Sequence, residues 1–284
     1  MKRLYGKRIL IFGPSGKMGC AIRSVFTECE LINVYRADCD ICDFHQVAAK
    51  ISELVPDMVV NAVVYGGLDA CEERPREALH VNTLFPQYLA ELSNKYNFIL
   101  IHFSTDAVFN GTTADYHLES SPVNPVNIYG ITKFGADSYI RAIAQKYYIA
   151  RLSIQFGPSD KNTQFLEKML QKIRDGHRNL LISNDIVASP SFSADCVNEL
   201  KSIIEDERPY GLYHIANAGM ASLYELMQEI IKILKIDVSI TPVPHTTFNT
   251  KAIKNSFTPI QSEKLFPLRP WQEALAAYCR QLII

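Results

Sequence analysis

Arg8-Ile9-Leu10-Ile11-Phe12-Gly13-Pro14-Ser15-Gly16-Lys17-Met18-Gly19 decides how the chain folds. The first five residues form a short apolar run with β-branched positions, the mark of a buried strand. Glycines follow at spacing G-x-x-G-x-x-G, and then Met18, Ile22, Val25 and Phe26 recur at helical period. A strand, a glycine turn and a helix in immediate succession turn backbone N–H groups and a helix N-terminus toward an anion, as a dinucleotide pyrophosphate requires. Gly13 and Gly16 permit the tight turn, and Gly19 lets helix and strand pack closely. Ser15, Lys17 and Met18 complete this candidate cofactor loop.

The next strand, Leu31-Ile32-Asn33-Val34-Tyr35, ends in Arg36, and no carboxylate comes before Asp38. An acidic residue here would hold the ribose diol of NAD, whereas Arg36 with Lys17 suits a 2′-phosphate. NADPH is therefore the expected cofactor, with NADH as the alternative. Asp43 caps a helix carrying Val47, Ile51 and Leu54. Residues 56–64 read as a third strand whose end borders the cofactor. Helical patterns follow over residues 68–73 and 75–95, the second with a core stripe of Leu79, Leu84, Tyr88, Leu89 and Leu92. Asn82 in that helix is either a buried polar bridge near Lys133 or a surface amide.

Phe98-Ile99-Leu100-Ile101-His102-Phe103 is another buried strand, and it ends in the hydroxyl pair Ser104-Thr105 followed by Asp106. Tyr129 and Lys133 stand four apart at the head of a helical pattern through Phe134, Ala136 and Ile140, so they share one helix face. Phenol, ammonium and hydroxyl suit hydride transfer to a ketone. Negative charge grows on the carbonyl oxygen, and a phenol whose pKa a nearby cation lowers from about 10 can protonate it. Thr105 would hydrogen-bond the same oxygen.

Composition narrows the remaining classes. The 284 residues are 48% hydrophobic and 21% charged, with a formal net charge of -1, so neither a nucleic-acid nor a membrane surface is indicated. The basic start is followed by an apolar run too short for a signal peptide, and no segment approaches the ~18 apolar residues of a membrane span. A cytoplasmic protein is expected. The seven cysteines are an odd, scattered set, unlike a disulfide framework. Cys39-Asp40-Ile41-Cys42 has C-x-x-C spacing without a second pair, and His102, His117, His177, His214 and His245 lack ligand spacing. All are read as structural, and no metal is assigned.

Beyond Gly157 the alternation loosens. Helices are expected over residues 165–175, 193–204, 223–234 and 271–282, with strands at 180–183 and 211–215. Pro242-Val243-Pro244-His245-Thr246-Thr247 reads as a loop of the kind that lines a cleft. The expected organisation is α/β: a doubly wound parallel sheet of Rossmann type over residues 1–156, to which 185–216 return. Residues 157–184 and 217–284 form a smaller C-terminal α/β substrate-binding lobe.

Gly13 to Gly19, Asn61-Ala62-Val63, Leu68-Asp69-Ala70-Cys71-Glu72, Ser104-Thr105-Asp106-Ala107-Val108-Phe109-Asn110-Gly111 and Tyr129-Gly130-Ile131-Thr132-Lys133 occur in that order. Together they resemble the extended short-chain dehydrogenase/reductases, and among them the dTDP-4-dehydrorhamnose reductase family, over nearly the whole chain. The resemblance implies NADPH-dependent reduction of the 4-keto group of a nucleotide-activated 6-deoxy sugar. It makes Thr105, Tyr129 and Lys133 the catalytic trio with Tyr129 as proton donor, and Asn82 their support. It places Asp43 and Phe44 beside the adenine, Ala62, Val63 and Val64 along the cofactor channel, and Ser104, Thr105, Ala107 and Ile154 toward the sugar. A homodimer is compatible with it.

Two departures stand out. The family usually has an aromatic where Ala107 stands and a tryptophan where Ile154 stands, and losing those rings removes stacking worth roughly 1–3 kcal/mol each. Ala252-Ile253-Lys254-Asn255-Ser256 replaces Arg-Pro-x-Asn-Ser. Two rivals keep the fold: a sugar-nucleotide epimerase or dehydratase, and a non-catalytic NADP-binding regulatory subunit. Ala107 after Asp106 counts against dehydration, and the intact trio argues for catalysis.

Overall fold

In the computed structural model, which describes residues 4–112, 114–161 and 164–282, strands β1 (Arg8–Phe12), β2 (Glu30–Val34), β3 (Met58–Asn61), β4 (Ile99–Thr105) and β5 (Tyr147–Leu152) lie parallel. Gly211–His214 adds a sixth parallel strand outside β5, and the sheet runs in the order 211–214, β5, β4, β3, β1, β2. Strand order reverses direction between β1 and β3, so a crevice opens there at the carboxyl ends. The helices are α1 (Lys17–Val25), α2 (Phe44–Leu54), α3 (Leu68–Glu73), α4 (Pro75–Leu79), α5 (Phe85–Tyr96), α6 (Ile128–Ile143), α7 (Phe165–Arg174), α8 (Ser193–Glu205), α9 (Leu223–Leu234) and α10 (Trp271–Leu282).

The strands are apolar throughout because both sheet faces are covered. Ile9 and Ile11 of β1 join Ala21 and Ile22 of α1 and Val197 and Leu200 of α8. Leu10 and Phe12 pack on the other face with Val47, Ile51, Phe85, Leu89 and Ile140 from α2, α5 and α6. A separate core joins Leu166 and Leu170 of α7, Met227 and Ile230 of α9, and Ala274 and Leu275 of α10. Asn179–Ser183 and Ser239–Val243 form a parallel pair beside it.

Several boundaries differ from the sequence reading. β3 stops at Asn61, and Ala62 to Val64 run on as irregular chain. The expected helix over residues 75–95 is divided by a π-helical turn, His80–Leu84. Pro242 and Val243 lie in a strand rather than a loop, tolerated because that strand edges a two-stranded sheet. Residues 1–3 of the basic start lie outside the described residues. No helix among them is long and apolar enough to cross a membrane.

Candidate active site

The glycine loop leaves the carboxyl end of β1 as a surface bare of side chains. Gly13 has φ +80, and a Cβ there would lie 2.8 Å from the Ala62 carbonyl oxygen. A Cβ on Gly19 would lie 2.7 Å from the Pro14 Cα. Gly16 starts α1 with no side-chain cap, leaving first-turn amides for an outside acceptor. This shape fits a pyrophosphate. Ser15 and Met18 are half-buried beside it.

Lys17 is not where the sequence reading had it. Its Nζ donates to Glu167 Oε1 at 2.6 Å and to the Gln155 carbonyl at 3.1 Å, and the side chain is 3% exposed. The cation is neutralised by α7 of the second core, while Arg36 stands exposed beyond β2. The two charges therefore do not act as a pair. Asp43 spends its carboxylate capping α2 through the His45 and Gln46 amides, and these bonds hold it below the usual carboxylate range. Phe44 stacks on Tyr88 at 4.4 Å between ring centroids. Ala62 and Val63 are half-buried and Val64 is exposed.

Thr105 closes β4, and Tyr129 and Lys133 lie in the first turns of α6, whose N-cap Asn127 accepts the Gly130 amide at 2.8 Å. Gly130 permits this approach, since a Cβ there would strike the Ala107 carbonyl. Thr105 Oγ1 accepts the Ala107 amide at 3.1 Å, and its hydroxyl acts on the Tyr129 phenol. Burial pushes the Tyr129 phenol up to about 12, against the pull of Thr105 and aided by Asp106 and Cys71. The expected lowering by Lys133 is absent. The Lys133 nitrogen instead donates to the Phe103 carbonyl at 2.6 Å and lies 3.1 Å from His102 Nε2, and burial pulls it down to about 8 against Asp137.

Asn82 is buried in the π-helical turn. Its Oδ1 accepts the Tyr65 amide at 2.8 Å, and its Nδ2 donates to the Tyr65 carbonyl and to Thr132 Oγ1. It pins the loop after β3 to α6 through Thr132, next to Lys133 in sequence, and its hydrogen bonds go to those groups rather than to the lysine. Ser104 Oγ is buried without a partner. Ala107 is buried under Asn255, and Ile154 belongs to the second core.

Three polar residues hold the site together in ways the sequence did not assign. Asp106 is half-buried and gathers Thr105 at 3.2 Å, Ser153 at 2.6 Å and Thr258 at 3.1 Å, and desolvation raises its pKa. It ties β4 to the segment that crosses from the second core. His102 and Asn61 join Lys133 from beneath. The available signal was a polar residue inside or just beyond an apolar strand run. Among the described residues no cluster of three or more His, Cys, Asp or Glu is arranged to hold a metal, and all seven cysteines are free.

Known proteins resemble this chain over nearly its whole length. The profile of the family described as RmlD substrate binding domain matches residues 7–284. A dTDP-4-dehydrorhamnose reductase of Mycolicibacterium smegmatis is 29% identical over 278 residues, covering 95% of this chain and 84% of that protein. A crystal structure of a dTDP-4-dehydrorhamnose reductase from Clostridium acetobutylicum is 28% identical with a TM-score of 0.91, covering 98% of this chain and 100% of that one. A Bacillus anthracis dTDP-4-dehydrorhamnose reductase in complex with NADP has the same TM-score at 23% identity, covering 97% and 99%.

Proposed function

Since the chain belongs to the RmlD substrate binding domain family over residues 7–284, we propose that it reduces the 4-keto group of a nucleotide-activated 6-deoxy sugar with NADPH, Tyr129 giving the proton. The observation that carries this reading is the meeting of Thr105, at the carboxyl end of β4, with Tyr129, in the first turn of α6, whose phenol it pulls toward ionisation. The names borne by the M. smegmatis and C. acetobutylicum relatives supply the substrate class, and the NADP held by the B. anthracis relative supports the cofactor.

The nicotinamide supplies the hydride. Thr105 and Tyr129 hold the ketone oxygen by hydrogen bonds and so fix the carbonyl for attack. A phenol near 12 is fully protonated at neutral pH, the form that a proton donor in the reducing direction needs. The partnerless Ser104 hydroxyl offers a further contact to a sugar hydroxyl. The absence of aromatic rings at Ala107 and Ile154 favours a sugar that is not clamped between them.

NADPH consumption with dTDP-4-dehydrorhamnose and a panel of related nucleotide 4-keto sugars tests this directly. Oxidation matched by one reduced sugar per NADPH is the expected result. Isomerised sugar without net NADPH loss would mean an epimerase, and tight NADPH binding without any turnover would favour the regulatory reading.

Arg36→Ala is expected to raise KM for NADPH about tenfold with little change for NADH, the loss of one charge-assisted bond. Lys17→Met should leave the NADPH-to-NADH preference unchanged, because its charge is spent on Glu167. Steady-state kinetics with both cofactors separates the two.

A further inference from the structure

The inner end of Lys133 meets a row of buried polar groups that the reduction above does not use. Lys133 Nζ lies 3.1 Å from His102 Nε2, and His102 Nδ1 lies 3.1 Å from Asn61 Nδ2. Asn61 Oδ1 accepts the Val63 amide at 3.1 Å. Lys133, His102 and Asn61 are exposed by 2%, 0% and 1%, so bulk water cannot substitute for any member.

A backbone amide only donates, and that single fact orders the row. Val63 N–H claims the Asn61 carbonyl oxygen, so the NH₂ end of Asn61 faces His102 and donates to Nδ1. Nδ1 is therefore bare. Burial and the neighbouring Lys133 hold the imidazole well below its ordinary range, so the ring is neutral. A neutral imidazole with a bare Nδ1 carries its proton on Nε2, where it points at the Lys133 nitrogen. An ammonium offers that N–H no lone pair, whereas an amine accepts it and still donates to the Phe103 carbonyl.

We propose that Asn61 and His102 are positioning residues that lock the Nε2–H tautomer against Lys133 and so turn this lysine from a fixed cation into a readily deprotonated one. The proposal rests on the reductase reading of the site, with Lys133, one turn along α6 from Tyr129, as the third member of the trio that the family resemblance implies. Its consequence is an alkaline limb set by Lys133 far below the usual lysine range of about 10.4.

The other groups around Lys133 do not undo this. Asp137, one turn on along α6, raises the lysine but shares its charge with Arg151 of β5 at 2.9 Å. Tyr129, one turn back, is a neutral phenol, and Asp106 and Cys71 act on it.

The test uses the whole protein with ¹⁵N in the histidine rings and lysine Nζ, followed from mildly acidic to alkaline pH and assigned with Lys133→Met. The wild type should show His102 protonated at Nε2 and bare at Nδ1, with Lys133 titrating near 8. In Asn61→Asp a carboxylate accepts from both the Val63 amide and Nδ1–H, which frees Nε2 to accept from an ammonium. His102 should switch tautomer, and the Lys133 titration and the alkaline limb of kcat/KM should rise together by about one pH unit or more. A wild-type His102 carrying its proton on Nδ1, or a Lys133 titrating in its ordinary range, overturns the lock. The spectra need no substrate, so failure of the lock is read separately from any failure to reduce a sugar.

Discussion

Tyr129→Phe is expected to lower kcat by roughly 10²–10⁴-fold, the usual contribution of a positioned general acid, while NADPH still binds. The substitution removes one oxygen. Thr105 keeps its Ala107 and Asp106 partners, at 3.1 and 3.2 Å, so the ketone cradle loses its donor without losing its shape. Single-turnover kinetics with saturating NADPH isolates the chemical step. A phenylalanine enzyme that turns over at the wild-type rate would hand the proton to another group, with Thr105 the nearest hydroxyl.

Asp137→Ala should destabilise the fold by about 3–5 kcal/mol, the cost of stranding a buried charge by removing its partner. Arg151 Nε meets Asp137 Oδ2 at 2.9 Å, with the two side chains 2% and 0% exposed. Arg151 is also stacked over Phe109, with its guanidinium carbon 5.6 Å from the ring centroid, and has no route to solvent. Replacing both partners, in Asp137→Leu with Arg151→Met, should recover most of the loss, since the desolvation penalty then disappears with the charge. Urea unfolding of the three proteins measures this. Equal destabilisation by the single and double variants would show that packing, not charge, dominates there.

What could be read from the residues alone follows physical rules. β1, α3, α9 and α10 have the limits expected of them, because apolar period and turn residues coincide at both ends. The irregular run from Ala62 was invisible to that pattern: its valines look like strand, yet the chain leaves the sheet after Asn61, beside Gly13. The break at residues 80–84 was hidden too, since the apolar stripe continues across it while the Asn82 side chain reaches for Tyr65 and Thr132. Two-residue strands such as Gln155–Phe156 and Ser191–Phe192 are too short to carry a period.

At the site, spacing alone brought Tyr129 and Lys133 to one helix face. It could not say which neighbour each head group would choose. Lys17 looked like a phosphate ligand until α7 supplied Glu167 from 150 residues away. His102 looked like an ordinary core histidine, because its partners Asn61 and Lys133 are 41 and 31 residues distant. Long-range pairing of polar groups leaves no periodic trace.

The outermost strand of the main sheet, Gly211–His214, comes late in the chain, after α7 and α8 have been made. On the ribosome, the first 150 or so residues must therefore emerge with one flank of β5 unpaired and the outer side of α1 bare, since α8 covers it. The nascent amino-terminal half is thus a temporary liability, open to edge-to-edge association until roughly residue 214 has cleared the exit tunnel. Cleaving the gene at the apparent end of the nucleotide-binding half would make that transient state permanent.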